Sequence, residues 1–157
     1  EFPDLRLRDP DVTKDLRQYI RELIQTVNPK TVYSFGPDGV SRHRDHIRIG
    51  EVTWEVIQAH NNAYQQTPSK QIELLQAQLS DQSKQIFQDC LKPSGIRNWR
   101  FPLTAVKIDL SPYLSKITQA LNVYQSQWTS KERAGFEDYY KRNPVVEFIR
   151  PKVGTTT

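Results

Sequence analysis

The apolar residues of this chain change their spacing several times, and turn signals separate the segments. Over residues 12–27 they recur every three or four positions, which is typical of one face of an α-helix. Asn28 and Pro29 then end this helix, because proline cannot continue a helix and restricts the residue before it. Residues 31–35 are rich in β-forming side chains and lead into a glycine-rich turn over residues 36–39. This change from helical to strand spacing favours a fold that mixes both elements.

The segment after this turn predicts a second strand. Residues 41–46 are polar and predict a loop or hairpin tip. Over residues 47–56 apolar and polar residues alternate, which is typical of a half-buried strand. The predicted apolar face holds Val52, Trp54 and Val56. The predicted polar face holds Glu51, Thr53 and Glu55.

The rest of the chain predicts mainly helices. The expected elements are a helix start over residues 57–66, helices over 70–79 and 82–91, a turn over 92–95, a strand over 99–110, a helix from Ser111 to about residue 128, a helix over 129–142 and a strand over 145–149. Thr129 and Glu132 predict a capping box. The predicted fold class is α/β (α+β), a small twisted mixed sheet flanked by helices.

The length of 157 residues favours a single domain, expected over residues 12–150, between an extended lead-in over 1–11 and a flexible tail over 151–157. No apolar stretch is long enough to span a membrane, so no membrane partner is expected. The single cysteine, Cys90, excludes an internal disulfide and favours a reducing compartment such as the cytoplasm. The absence of an initial Met suggests a piece of a longer chain. A net charge of +4 tolerates a polyanionic partner.

Two acidic residues suggest a metal site. Asp38 lies in the turn after the first strand, and Glu51 lies on the polar face of the predicted second strand. A hairpin between them would return both carboxylates to one end of the sheet, where a hard cation such as Mg²⁺ or Mn²⁺ would offset their repulsion. Such an ion activates water and polarises a phosphodiester, and a nearby lysine would stabilise the developing charge. The pattern therefore predicts a metal-dependent nuclease.

Pro37 and Asp38, followed by Glu51, Val52 and Thr53, resemble the motif of the cap-snatching endonucleases of segmented negative-strand RNA viruses. The nearest likeness is to the hantavirus-type domain at the start of the large polymerase protein. Residues 103–109 resemble its central strand and residues 130–134 its terminal helix, so that the likeness spans roughly residues 15–142.

This resemblance implies a PD-(D/E)xK nuclease-like fold that cleaves host capped RNA to make primers, as part of a larger viral polymerase in the host cytoplasm. It also implies two Mn²⁺ or Mg²⁺ ions, held by Asp38, Glu51 and the carbonyl of Val52. Lys70 takes the role of the catalytic lysine, which in this family has moved to the next helix. Active members also place a metal-binding His on an upstream helix, and no His precedes His43 here. Either that helix lies outside this sequence, or the domain resembles the members that lack the His and use an upstream acid, for which Glu22 is the candidate.

Two other kinds of site stay open. His43 and His46, with His60 and Cys90, form a possible set of zinc ligands. Cys90 is a weak nucleophile candidate, because Asp89 beside it would raise its pKa. Alternatively, the chain is a non-catalytic basic module that binds nucleic acid or protein through residues 41–48. In either an enzyme or a binding module, the expected RNA contacts are Arg42, Arg44 and Arg48.

Overall fold

The computed structural model describes residues 5–91, 106–123 and 129–151. These residues fall into two compact units. The first contains residues 5–78 and 148–151, and the second contains residues 79–91, 106–123 and 129–147. The expectation of one domain over residues 12–150 stays a prediction.

The fold is mixed α/β, as predicted. Its α-helices are α1 (Pro10–Val27), α2 (Gly39–Arg42), α3 (Arg44–Ala63), α4 (Asp81–Leu91), α5 (Leu114–Val123) and α6 (Ser130–Arg142). Its strands are β1 (Thr31–Phe35), β2 (Glu73–Gln78), β3 (Val106–Asp109) and β4 (Val145–Ile149). The sheet has the strand order β1-β2-β4-β3, and β1 pairs with β2 in parallel.

Helix α1 confirms the predicted first helix and begins slightly earlier, at Pro10. Proline is suited to the first helical position, because its fixed φ is helical and no intrahelical partner exists there for an N–H group. The helix therefore includes the last two residues of the predicted lead-in, and Leu7 of that segment is buried. At the other end Asn28 adopts a left-handed conformation with φ 49° and donates its N–H to the carbonyl of Ile24. The prediction that Asn28 and Pro29 end the helix is thus confirmed.

The predicted strand over residues 47–56 and the loop before it are wrong, because the chain forms helix α3 from Arg44 to Ala63. Val52 and Val56 lie four residues apart and are both buried, which suits a helix as well as a strand. Thr53 and Ile57 decide between the two, because they are buried next to Val52 and Val56, and alternation would expose them. The full buried set therefore has the spacing of an amphipathic helix.

The predicted helix over residues 70–79 is also wrong. Residues Pro68–Lys70 form a single 3₁₀ turn, and Glu73–Gln78 form β2. Leu74, Leu75 and Gln76 are buried consecutively, because β2 lies between β1 and β4 and is covered on both faces. Such continuous burial lacks the alternation that identifies a strand in the sequence.

The predictions for α4, α6 and β4 are confirmed. The capping box is present, since the hydroxyl of Thr129 accepts the N–H of Glu132 and the carboxylate of Glu132 accepts the N–H of Thr129. The helix predicted from Ser111 instead begins as α5 at Leu114, after a 3₁₀ turn over Ser111–Tyr113, and the Ser111 N–H donates to the Asp109 carboxylate. The predicted turn over 92–95 and the outer parts of the segments predicted over 99–110, 111–128 and 151–157 lie outside the described residues.

A buried carboxylate organises the start of α4. Glu147 is 4% exposed and accepts hydrogen bonds from the N–H of Ser80 and the hydroxyl of Ser83, at 2.7 and 3.0 Å. Lys107 on β3 places its ammonium 3.2 Å from the other carboxylate oxygen. Burial alone would raise the pKa of Glu147, but the hydrogen bonds from Ser80, Ser83 and Lys107 outweigh it and lower the pKa below 4.5.

We expect this carboxylate to make stability depend on acid. The pKa of Glu147 is lower in the folded than in the unfolded protein. Its contribution to the free energy of unfolding is therefore fully present above the unfolded-state pKa, and it is lost as the pH falls through the folded-state pKa. Glu147→Gln removes the titrating carboxylate. The difference in melting temperature between the wild type and this variant should therefore become smaller as the pH falls from about 6 to about 3. Circular dichroism melts of both proteins measure it, and a gap that stays constant over this range would contradict the assignment.

Candidate functional site

The turn after β1, residues 36–43, carries Asp38, Arg42 and His43 and leads directly into α3. Carboxyl ends of parallel strands are where ligands bind in open α/β sheets. Two glycines allow the chain to pack closely here. A Cβ on Gly36 would lie 2.5 Å from the carbonyl oxygen of Ala77, and a Cβ on Gly50 would collide with the carbonyl oxygen of Phe35. Helix α3 therefore lies directly against the end of β1.

The backbone of this turn adopts unusual conformations. Gly39, Val40 and Arg42 have φ values of 60°, 63° and 63°. A positive φ is a genuine outlier for a β-branched residue such as Val40. The Val40 N–H donates to the Asp38 carboxylate at 2.9 Å, and the Gly39 N–H donates to the Gly36 carbonyl at 2.9 Å. Strained backbone of this kind occurs preferentially at functional sites.

His46, in the first turn of α3, is held in one orientation. Its ring stacks on Phe35 with a centroid distance of 4.1 Å and an interplanar angle of 6°. Its Nδ1 lies 3.3 Å from the carbonyl oxygen of Gly39, and since a carbonyl only accepts, Nδ1 carries the proton. Burial lowers the pKa of His46 against the opposing effect of this hydrogen bond. The neutral ring then presents the lone pair of Nε2.

His43 has the opposite arrangement of donor and acceptor. The N–H of Asp45 donates to Nδ1 of His43 at 3.3 Å, so that a neutral ring carries its proton on Nε2. The ring centroids of His43 and His46 are 4.8 Å apart. One imidazole therefore offers an N–H donor and its neighbour offers a lone pair, which is a combination suited to acid–base or ligand chemistry.

Asp45, between these two histidines, is engaged elsewhere. It is 6% exposed, and its carboxylate accepts the backbone N–H groups of Leu5 and Leu7 at 2.6 and 3.4 Å. Thr13 donates its hydroxyl to the carbonyl of Leu7 and fixes the same segment to α1. Asp45 thus anchors the amino-terminal segment to the start of α3.

Glu51 and Val52 do not occupy the positions that the predicted hairpin required. Glu51 lies on the surface of α3 and accepts a hydrogen bond from Arg48 at 2.9 Å, whereas Asp38 caps the start of α2. Val52 is fully buried, and its carbonyl belongs to the hydrogen-bond ladder of α3. The predicted hairpin between Asp38 and Glu51 is therefore wrong, because residues 44–63 form helix α3.

Lys70 and Glu22 are also not brought to this turn. Lys70 precedes β2, at the amino-terminal ends of the paired strands β1 and β2. Its ammonium lies 5.0 Å from the ring centroid of Tyr64. The five residues of β1, at about 3.3 Å each, place roughly 16 Å between this edge and the turn after β1. Glu22 is exposed on α1 and accepts a hydrogen bond from Gln18.

The predicted basic cluster over residues 41–48 is divided between two helices. Arg42 ends α2, and Arg44 is exposed at the start of α3. Arg48 lies 2.9 Å from Glu51 and 4.0 Å from Glu55, and Arg17 forms a second ion pair with Glu55 at 2.6 Å. The charge of Arg48 is therefore largely compensated, which weakens its predicted role as a phosphate contact.

The four predicted zinc ligands do not form one site. His60 lies further along α3, roughly 20 Å from His46 at the helical rise, and its Nε2 lies 2.9 Å from the carbonyl oxygen of Lys70. Burial and the carboxylate of Asp138, not the predicted Asp89, raise the pKa of Cys90. Within residues 5–91, 106–123 and 129–151 no group of three or more His, Cys, Asp or Glu side chains is arranged to hold a metal ion.

A groove of about 420 Å³ begins beside this turn. Its walls include Pro37, Glu51, Trp54 and Gln76, together with Pro151 after β4. Gln76 is buried and donates to the carbonyl of Gly50 at 3.3 Å. This groove borders the turn after β1 at Pro37, and neither His43 nor His46 is among the residues that line it.

Comparison of the chain with protein-family models and with curated proteins found no match. None of the helices in the described part of the chain is long and apolar enough to cross a membrane. The function is therefore argued from the geometry of the turn after β1.

We expect Gly50→Ala to destabilise the protein. Helix propensity alone would favour Ala by about 1 kcal/mol. The added Cβ would meet the backbone carbonyl of Phe35, which cannot move without shifting β1, so a net loss of about 1–3 kcal/mol is expected. Urea unfolding measures the change. Ala59→Gly, at an exposed position of α3, measures the effect of helix propensity alone. If Gly50→Ala stabilised the protein, the approach of α3 to the Phe35 carbonyl would not restrict the residue at position 50.

Proposed function

We propose that the turn after β1 and the first turn of α3 form the centre of a metal-assisted hydrolase. The observation that supports this proposal best is the orientation of His46. Its Nδ1 is occupied by the carbonyl of Gly39 and its ring is fixed on Phe35, so that Nε2 is the nitrogen available to a ligand. Histidines that bind metals almost always donate their other ring N–H in this way.

His43 and His46 have different roles in this proposal. A divalent ion, when bound, supplies a water of lowered pKa and polarises the bond to be cleaved. Nε2 of His46 would hold this ion, and Nε2–H of His43 would donate to an oxygen that gains negative charge. Because one imidazole does not complete a coordination shell and no group of three or more such side chains occurs among the described residues, water would supply the other ligands.

RNA is the substrate that the sequence resemblance implies, and metal-dependent RNA cleavage remains part of the proposal. Glu51 gives it less support than expected, because its carboxylate is ion-paired with Arg48 on α3. The alternative of a basic binding module gains no support from Arg48, whose charge Glu51 and Glu55 compensate. Hydrolysis at His43 and His46 is therefore the function to test first.

We expect Zn²⁺ or Mn²⁺ to raise the melting temperature of the wild type, because an ion that binds the folded state stabilises it by mass action. His46→Asn should lose this increase, since Asn keeps an N–H near the δ position and lacks Nε2. His60→Asn is the matched control on the same helix and should keep the increase. Thermal melts over a range of metal concentrations measure the effect.

The carboxylate variants distinguish this proposal from the paired-carboxylate site. If Asp38→Asn and Glu51→Gln abolish the metal-induced increase while His46→Asn keeps it, the imidazole assignment is wrong. If neither ion changes the melting temperature of the wild type, the metal-assisted hydrolase itself has to be abandoned.

Lys70→Ala should leave any manganese-dependent RNA cleavage unchanged, because Lys70 and Asp38 lie at opposite ends of the paired strands β1 and β2. His43→Gln should reduce the same cleavage by about 10²–10³, the usual effect of losing one donor to a developing negative charge. Initial rates with a labelled single-stranded RNA measure both. A large loss in Lys70→Ala would restore the displaced-lysine mechanism implied by the resemblance.

A further inference from the structure

An apolar groove of about 440 Å³ lies between α1 and β1 in the first unit, and it shares Phe35 with the proposed hydrolase. Among the described residues that line it none is charged. We propose that this groove binds an extended apolar segment of another polypeptide, which adds to the edge of β1 as a further strand.

Helix α1 contributes a second apolar stripe to the groove. Leu16 and Ile24 are buried and face the core of the unit. Leu23 and Val27, four residues apart, also line the groove but are 43% and 64% exposed. A helix that packs only on its own core needs one apolar stripe and carries polar residues elsewhere. The second stripe is therefore available to a partner.

Strand β1 lies at one end of the strand order β1-β2-β4-β3. The N–H of Glu73 donates to the carbonyl of Lys30, and the N–H of Gly36 donates to the carbonyl of Ala77. Because parallel pairing uses alternate residues, the backbone groups of Val32 and Ser34 face β2, and those of Thr31 and Tyr33 face away from it. In the described part of the chain the outward groups have no strand partner, and such an edge is a template for strand addition.

The size of the exposed surface favours a single strand as the occupant. Four large side chains of the groove are 43–64% exposed, which at roughly 150–250 Å² per side chain amounts to on the order of 400 Å²: Tyr19, Leu23, Val27 and Tyr33. A stable dimer needs about 800 Å² from each partner, so this face is too small for a second copy held by side chains. Backbone hydrogen bonds along β1 would supply the remaining affinity for one strand.

The buried hydroxyl of Ser34 is consistent with a missing neighbour. Ser34 lines the groove, and its Oγ is buried without a hydrogen-bond partner among the described residues. Buried hydroxyls nearly always have a partner. An added strand would bring backbone carbonyls and polar side chains to this part of the groove.

The test uses the full chain and a fluorescein-labelled peptide of sequence Lys-Thr-Val-Thr-Val-Thr-Val-Lys. We expect saturable binding by fluorescence anisotropy, weakened at least about tenfold by Val27→Lys, since the new charge would be buried without a partner. Val123→Lys is the matched control, because Val123 is 78% exposed on α5 in the other unit, and it should bind like the wild type. In hydrogen exchange by NMR, the peptide should slow the amide of Tyr33 and leave that of Val32 unchanged.

Three results would overturn the proposal. The first is no saturable binding by the wild type. The second is equal binding by Val27→Lys, with circular dichroism melts confirming that this variant is folded. The third is a wild-type dimer in analytical ultracentrifugation that Val27→Lys dissociates, which would assign the groove to a second copy of this chain.

Discussion

The close approach of α3 to the end of β1 is the constraint on which the first unit depends. Gly50 lets the backbone of α3 approach the carbonyl of Phe35. The buried side chains of Val52, Val56 and Ile57 then pack over the β1–β2 pair. The same approach brings the first turn of the helix to the turn after β1. A bulkier residue at position 50 would move His46 away from both Phe35 and Gly39, on which its orientation depends.

Local signals in the sequence predicted the ends of helices correctly where neighbouring residues alone determine them. Asn28 and Pro29 stop α1 by backbone geometry, and Thr129 with Glu132 starts α6 by capping, so neither needs knowledge of the tertiary fold. The failures at α3 and β2 have a different cause. Residues 47–56 alternate by coincidence, and β2 is buried on both faces, so packing in three dimensions decided these elements.

The candidate site was predicted in part. The sequence identified the turn at Asp38 and the neighbouring histidines, because these residue types follow a strand at short spacing. It paired Asp38 with Glu51 through a hairpin that does not exist, since Glu51 lies on a helix and not on a strand. The orientation of His43 and His46 depends on the carbonyl of Gly39 and the N–H of Asp45, and spacing alone does not predict such backbone contacts.

The anchor at Asp45 makes the amino-terminal segment part of the same cooperative unit as the histidines. Its buried carboxylate relies on the amides of Leu5 and Leu7, which lie far away along the chain. If that segment detached, the carboxylate would lose its donors within a poorly solvated environment, and the start of α3 would loosen with it. Opening fluctuations of the amino-terminal segment and of the histidine pair should therefore occur together, so that events at residues 5–7 change the residence time of anything bound to the imidazoles.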